Sequence, residues 1–167
     1  LRRLPLCAEH ELTPIAAFVD RDNFDSVLTA ADVTSEIGVL ALGAGGNEYW
    51  LWEASTAIDP VLVVAGYNPL WGAERAVVVP YDARFVRRQA HYSGLYFGAS
   101  LAALCLLAER RGYFLVAISP TGGRAFFVRR DRLGKLATRS ATAAHRAPRR
   151  FAARDPLGQP TFLSTEA

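Results

Sequence analysis

The chain has 167 residues, 51% of them apolar and 21% charged, which is the make-up of one globular domain long enough to bury a core. No apolar run approaches the roughly 18 residues of a membrane span, and the start Leu1-Arg2-Arg3-Leu4-Pro5 is too short and too soon polar for a secretory signal, so no membrane is expected and the cytoplasm is. The net charge of +3 is small, but Arg129, Arg130, Arg132, Lys135, Arg139, Arg146, Arg149, Arg150 and Arg154 crowd towards the end; without interleaved aromatics before Phe151 they read as a solvated tail rather than a nucleic-acid surface.

In chain order, Asp22 or Asn23 can cap a short helix in which Phe24, Val27, Leu28 and Ala31 recur at helical spacing. Ile37 to Leu42 reads as a buried strand, and it runs into Gly43-Ala44-Gly45-Gly46-Asn47, where bare backbone can turn sharply. A helix is expected over 48–57, rich in Tyr49, Trp50 and Trp52 and stopped by Asp59-Pro60. Val61 to Ala65 is an unbroken apolar run, the pattern of a strand covered on both faces in a parallel sheet.

A long connection from Gly66 to Gly98 follows, with a strand expected at Ala76 to Val79; connections of this length in compact domains are often functional. From Ala99 the helical period returns through Leu101, Leu104, Cys105 and Ala108, with Arg110 and Arg111 at the negative helix end and Gly112 as terminator. Phe114 to Ile118 and Ala125 to Arg129, joined by Ser119-Pro120-Thr121-Gly122-Gly123-Arg124, predict an antiparallel hairpin. Residues 1–131 are thus expected to form one domain and 132–167 a basic, largely irregular extension with a small apolar patch at Phe162-Leu163. Cys7 and Cys105 lie far apart, so a free buried thiol is expected rather than a disulfide, and with no methionine in the sequence a fragment or a processed product is expected.

Several stretches carry a likeness in their order and spacing: Gly46-Asn47-Glu48-Tyr49-Trp50, Tyr67-Asn68, Val79-Pro80-Tyr81-Asp82, His91-Tyr92-Ser93-Gly94-Leu95-Tyr96-Phe97-Gly98-Ala99-Ser100-Leu101 and Ala125-Phe126-Phe127-Val128-Arg129. With Asp20 to Asn23 and Pro160 to Ser164 they resemble the closing half of a bacterial FkbM-like S-adenosylmethionine-dependent methyltransferase over most of the chain. The resemblance implies an α/β fold: an incomplete Rossmann-like sheet of methyltransferase type, parallel strands ending in an antiparallel hairpin, with helices on both faces. It also implies a cofactor held mainly by an earlier strand, a glycine-rich turn and an acidic residue, and nothing before Asp22 is similar to these. S-adenosylmethionine is therefore the implied cofactor and is not expected to bind this chain alone.

The departures fall at strand ends. Where the family carries acidic residues after the first strand this sequence has Gly43 and Gly45, and where it carries a glutamate after the next it has Gly66. The cofactor-contacting set implied by the resemblance is Gly43, Gly45, Asn47 and Asn68. Catalytic groups, if the chain acts as an enzyme, are expected on the long connection: His91 as the base, the residue type suited to proton transfer near neutrality, with Asp82 and Tyr92, and Tyr96 nearby. No cysteine pair, His-x-x-x-His pair or carboxylate cluster points to a metal, and the Gly43 to Gly46 turn lacks the Lys-Ser or Lys-Thr of a P-loop.

Three functions follow as expectations. The first is a methyltransferase-like module, not catalytic alone, whose Ile37–Leu42 strand edge is covered by a protein partner or a second copy. The second is a portion of an active O-methyltransferase for a sugar or natural-product hydroxyl. The third is weak nucleic-acid binding through the arginine-rich extension.

Overall fold

In the computed structural model, residues 12–147, 155–157 and 159 are described. The expectations for Cys7, for Phe162-Leu163 and for Arg149, Arg150 and Arg154 lie outside them. The elements are α1 (Phe24–Ala30), β1 (Ser35–Leu42), α2 (Glu48–Ala54), β2 (Ile58–Gly66), α3 (Arg87–Ala90), α4 (Leu101–Arg110), β3 (Tyr113–Ile118), β4 (Arg124–Arg129) and α5 (Ala141–Ala144), with short 3-10 turns at Pro69–Trp71 and Arg130–Arg132. The four strands make one open mixed sheet in the order β1-β2-β4-β3. β1 and β2 are parallel, joined through α2, and the β3–β4 hairpin turns back so that β4 pairs antiparallel with β2.

The register follows the apolar pattern. Leu40 lies opposite Val63 and Leu42 opposite Ala65, while Val63 faces Phe127 and Ala65 faces Ala125, so one sheet face is apolar from edge to edge. That face meets α2 and α4: Trp52 is fully buried between Tyr113 and Phe127, 5.7 and 5.1 Å away between ring centroids, and Leu101, Leu104 and Leu107 complete the layer. Ser100 caps α4 by accepting the Ala103 N–H at 3.1 Å, and Gly112, at φ +79°, ends it in the left-handed region that favours glycine.

The sequence expectation is met in outline, and the differences have physical reasons. Helices were expected on both faces, yet the buried side chains of α1, α2, α4 and α5 all join one cluster with Leu40, Leu42, Val63, Leu115 and Phe127. The opposite face carries Val39, Ala41, Leu62, Val64, Phe126 and Val128 by alternation; Val64 and Val128 at its centre are buried, while Val39 on β1 is 56% exposed. α2 ends at Ala54, before Asp59-Pro60, because Ser55 is already extended and residues 58–60 belong to β2. Pro60 is tolerated there because the β4 ladder begins only at Leu62, and its carbonyl accepts the Tyr113 hydroxyl at 2.6 Å. The strand expected at Ala76 to Val79 is reduced to a single bridge, Val78 to Ala99. Within the extension, α5 is capped by Ser140 and buries Ala144 against the core, and Arg139 N–H donates to Leu115 on the β3 edge at 2.8 Å. No helix among the described residues is long and apolar enough to cross a membrane.

Arg110 stands in the last turn of its own helix and Arg111 at the cap, as expected, and they also join two helices: Arg111 donates to the carbonyls of Ser55 at 2.6 Å and Glu53 at 3.2 Å, at the carboxyl end of α2, and Arg110 donates to the Tyr49 hydroxyl at 3.0 Å. A cation at those carbonyls satisfies acceptors that α2 leaves without an intrahelical partner.

Candidate functional site

A cavity of about 440 Å³ opens where the parallel strands end, between the exits of β1 and β2. Open α/β sheets place their ligands at this edge, since helices and loops diverge there and leave backbone uncovered. Glycines Gly43, Gly45, Gly66, Gly98 and Gly123 supply much of the wall, Phe85, Val86, Phe97 and Tyr67 its apolar part, and Glu48, Arg87 and Arg124 its charge.

The turn after β1 shapes one side. Gly46 sits at φ +140° with the Phe85 ring against its bare Cα, so a side chain there would be both strained and blocked. Glu48 begins α2 and folds back to accept the Gly46 N–H at 2.9 Å. Only 8% of Glu48 is exposed; burial pushes its carboxyl above the ordinary glutamate range, with hydrogen bonds from the turn amides opposing the shift. A Cβ at Gly66 would lie 3.2 Å from Glu48 Oε1, so the glycine at this strand exit leaves room for the carboxylate.

The long connection forms the other side, and its position depends on asparagines. Asn68 is fully buried; its amide donates to the carbonyls of Leu95 at 2.9 Å and Phe97 at 3.2 Å, while its oxygen accepts from Leu70 N–H at 3.1 Å. Asn47 donates to the Asp82 carbonyl at 2.9 Å, Trp50 donates through its indole N–H to Val79 at 2.9 Å, and Val79 N–H donates to Gly98 at 2.9 Å. Tyr67 N–H donates to Gly123 at 3.0 Å, joining the β2 exit to the hairpin turn. Two arginines border the space. Arg87 lies with its guanidinium carbon 3.6 Å from the Phe97 ring centroid and donates through Nε to the Gly94 carbonyl; Arg124 stands opposite Gly66 in the ladder.

Of the residues singled out from sequence, Gly43 and Gly45 border the cavity. Asn47 and Asn68 instead hold the connection in place, with side-chain amides engaged by backbone. His91, Asp82 and Tyr92 are exposed and are not among the lining residues: His91 Nδ1 lies 2.7 Å from Ser93 Oγ, its ring stacks on Tyr92 at 4.3 Å, and Asp82 accepts the Arg84 N–H at 2.8 Å as a turn former. Sequence reasoning missed Glu48, Arg87 and Arg124. Glu48 could have been found from its place two residues beyond a Gly-Gly turn, where a side chain can reach back to the turn amides; the arginines carry no pattern of their own. Among the described residues no group of three or more His, Cys, Asp or Glu is placed to hold a metal ion.

Among the described residues the strand exits at Gly43, Gly45 and Gly66 present no carboxylate, and Glu48 is bonded to its own turn. Comparison with known proteins found no matching family model, no matching curated protein and no matching solved structure.

Proposed function

We propose that this chain is a methyltransferase-like module, Rossmann-like in its closing half, that does not transfer methyl groups by itself and acts through a partner or a second copy covering its β1 edge. The observation that carries the reading is the state of β1: it pairs with β2 alone among the described residues, and its non-core face exposes Val39 and Ala41. A strand with free amides and carbonyls flanked by apolar side chains is a template for another strand. The parallel pair, the hairpin that returns beside it and the cavity at the strand exits support the family likeness; the glycines at 43, 45 and 66 support a site relieved of cofactor chemistry. The cytoplasm is the compartment this reading takes. Cys105 fits it as a free, half-buried thiol whose pKa burial raises to about 11, a poor nucleophile for disulfide exchange.

Sedimentation velocity combined with amide exchange tests the reading. The expected result is a self-associating species, or a monomer that captures a partner, with Val39 to Leu42 amides slowed in the complex. A clean monomer whose Val39 to Leu42 amides exchange fast would count against a covered edge. Calorimetry with S-adenosylmethionine tests the loss of catalysis: micromolar binding by the isolated chain would overturn it in favour of an active O-methyltransferase portion.

A further inference from the structure

We propose that the cavity at the β1 and β2 exits is a binding site for a small anionic molecule with an apolar or aromatic body, its anion held by Arg87 and Arg124. The inference concerns the same strand-exit rim as the methyltransferase-like reading but rests on the cavity alone, and it stands or falls separately from partner binding.

Three features select this chemistry. The volume of about 440 Å³ suits a ligand of modest size rather than an ion. Phe85 and Phe97 give apolar ring surface, and the glycine backbone that also lines the cavity allows close approach. Arg87 is held in advance, stacked on Phe97 and bonded through Nε to Gly94, which leaves its terminal nitrogens for a bidentate contact with a carboxylate or phosphate. Arg124 makes no ion pair among the described residues, in contrast to Arg129 and Arg132, each bound to acidic side chains. Glu48 is the opposing charge within the cavity; it directs a ligand's anion to the arginines and its uncharged end towards the β1 turn.

Nitrogen-15 labelled full chain titrated with phenyl phosphate, and separately with inorganic phosphate, provides the test. Phenyl phosphate is expected to shift the amides of Gly45, Gly98 and Gly123 saturably and to bind roughly tenfold more tightly than inorganic phosphate, because the ring is buried. Arg124→Gln is expected to weaken phenyl phosphate roughly tenfold with a native amide spectrum, as is Arg87→Gln, whereas Arg75→Gln, away from the cavity, leaves it unchanged. If Arg87→Gln fails to fold, Arg124→Gln carries the test alone. Absence of saturable shifts at those glycines, undiminished binding in Arg124→Gln, or an equal loss in Arg75→Gln overturns the proposal, and none of these bears on self-association.

Discussion

The two ends of the parallel strands are built oppositely. At their amino ends Arg129, reaching back from β4, donates to Glu36 on β1, to the Asp59 carbonyl on β2 and to Asp131 beyond its own strand, while Arg132 shares Glu36 at 2.8 Å. Tyr113 adds a bond to Pro60, and its hydroxyl, desolvated and beside Asp59, has its pKa pushed up to about 12. At the carboxyl ends the same strands finish in glycines around a cavity, with one buried carboxylate and two arginines that border it. One end fastens the strands together; the other leaves space. A sheet held at one end can keep an open site at the other, because the ordering that defines the site does not depend on groups inside it.

The largest effect expected on this contrast comes from Gly46→Ala. The added Cβ meets the Phe85 ring at a backbone angle of φ +140°, so strain and steric displacement combine, and a loss of about 2 to 3 kcal/mol is expected in urea unfolding. Gly43→Ala has nothing within 4 Å of its new Cβ and no positive φ, and should cost less than about 0.5 kcal/mol. Equal losses at the two positions would show that the Phe85 wall does not rest on Gly46.

At the fastened end, Arg129→Met keeps the stem of a side chain that is 12% exposed and removes its charge. The expected outcome is a lower melting temperature whose decline with added salt, present in the parent protein, is largely gone. A variant that melts lower yet keeps the full salt response would place the salt-sensitive pairs elsewhere.

How much of this was legible beforehand differs between the same two regions. The strands, the α4 helix and the hairpin follow from runs such as Val61 to Ala65 and from the Leu101, Leu104, Ala108 spacing, because burial acts on short periods that the sequence displays directly. Gly43 and Gly45, which border the cavity, belong to a glycine run that the sequence displays directly after an apolar strand. Neither the Arg129 clamp nor the Arg87 and Arg124 pair was legible: Glu36 and Arg129 are 93 positions apart and meet only because β4 turns back beside β2. The loop-tying contacts of Asn47 and Asn68 were not legible for a related reason. An asparagine at a strand exit can face a ligand or tie a distant loop, and only the path of the Gly66 to Gly98 connection decides which.

The two ends should also answer pH in opposite directions. Glu36 and Asp131, held below their ordinary carboxylate values by hydrogen bonds from Arg129, bind protons less readily in the folded state than in the unfolded one. Stability from them is therefore present above their unfolded values and is lost as pH falls through the folded ones. Glu48 has the reverse sign: its folded value is raised, so the native state holds the proton more tightly, and stability falls as pH rises from its unfolded value through its folded one. Glu48→Gln retains an acceptor for Gly46 N–H and abolishes the falling limb. Urea unfolding of parent and variant from acid to neutral pH should show the variant gaining on the parent towards neutrality. A constant difference across that range would mean that Glu48 does not titrate within it.

The smallest change in stability, and the one that speaks most directly to partners, is expected at Val39. Its side chain is already 56% exposed on β1, so Val39→Lys should alter monomer stability by no more than about 0.5 kcal/mol. A charge on an edge strand must be desolvated when another strand pairs beside it, and edge lysines block such pairing in native sheets. Sedimentation velocity at matched concentrations should thus show association weakened in the variant while its unfolding midpoint stays with the parent. If association persists unchanged, the contact uses some other surface, and the open edge of β1 is tolerated in water as it stands.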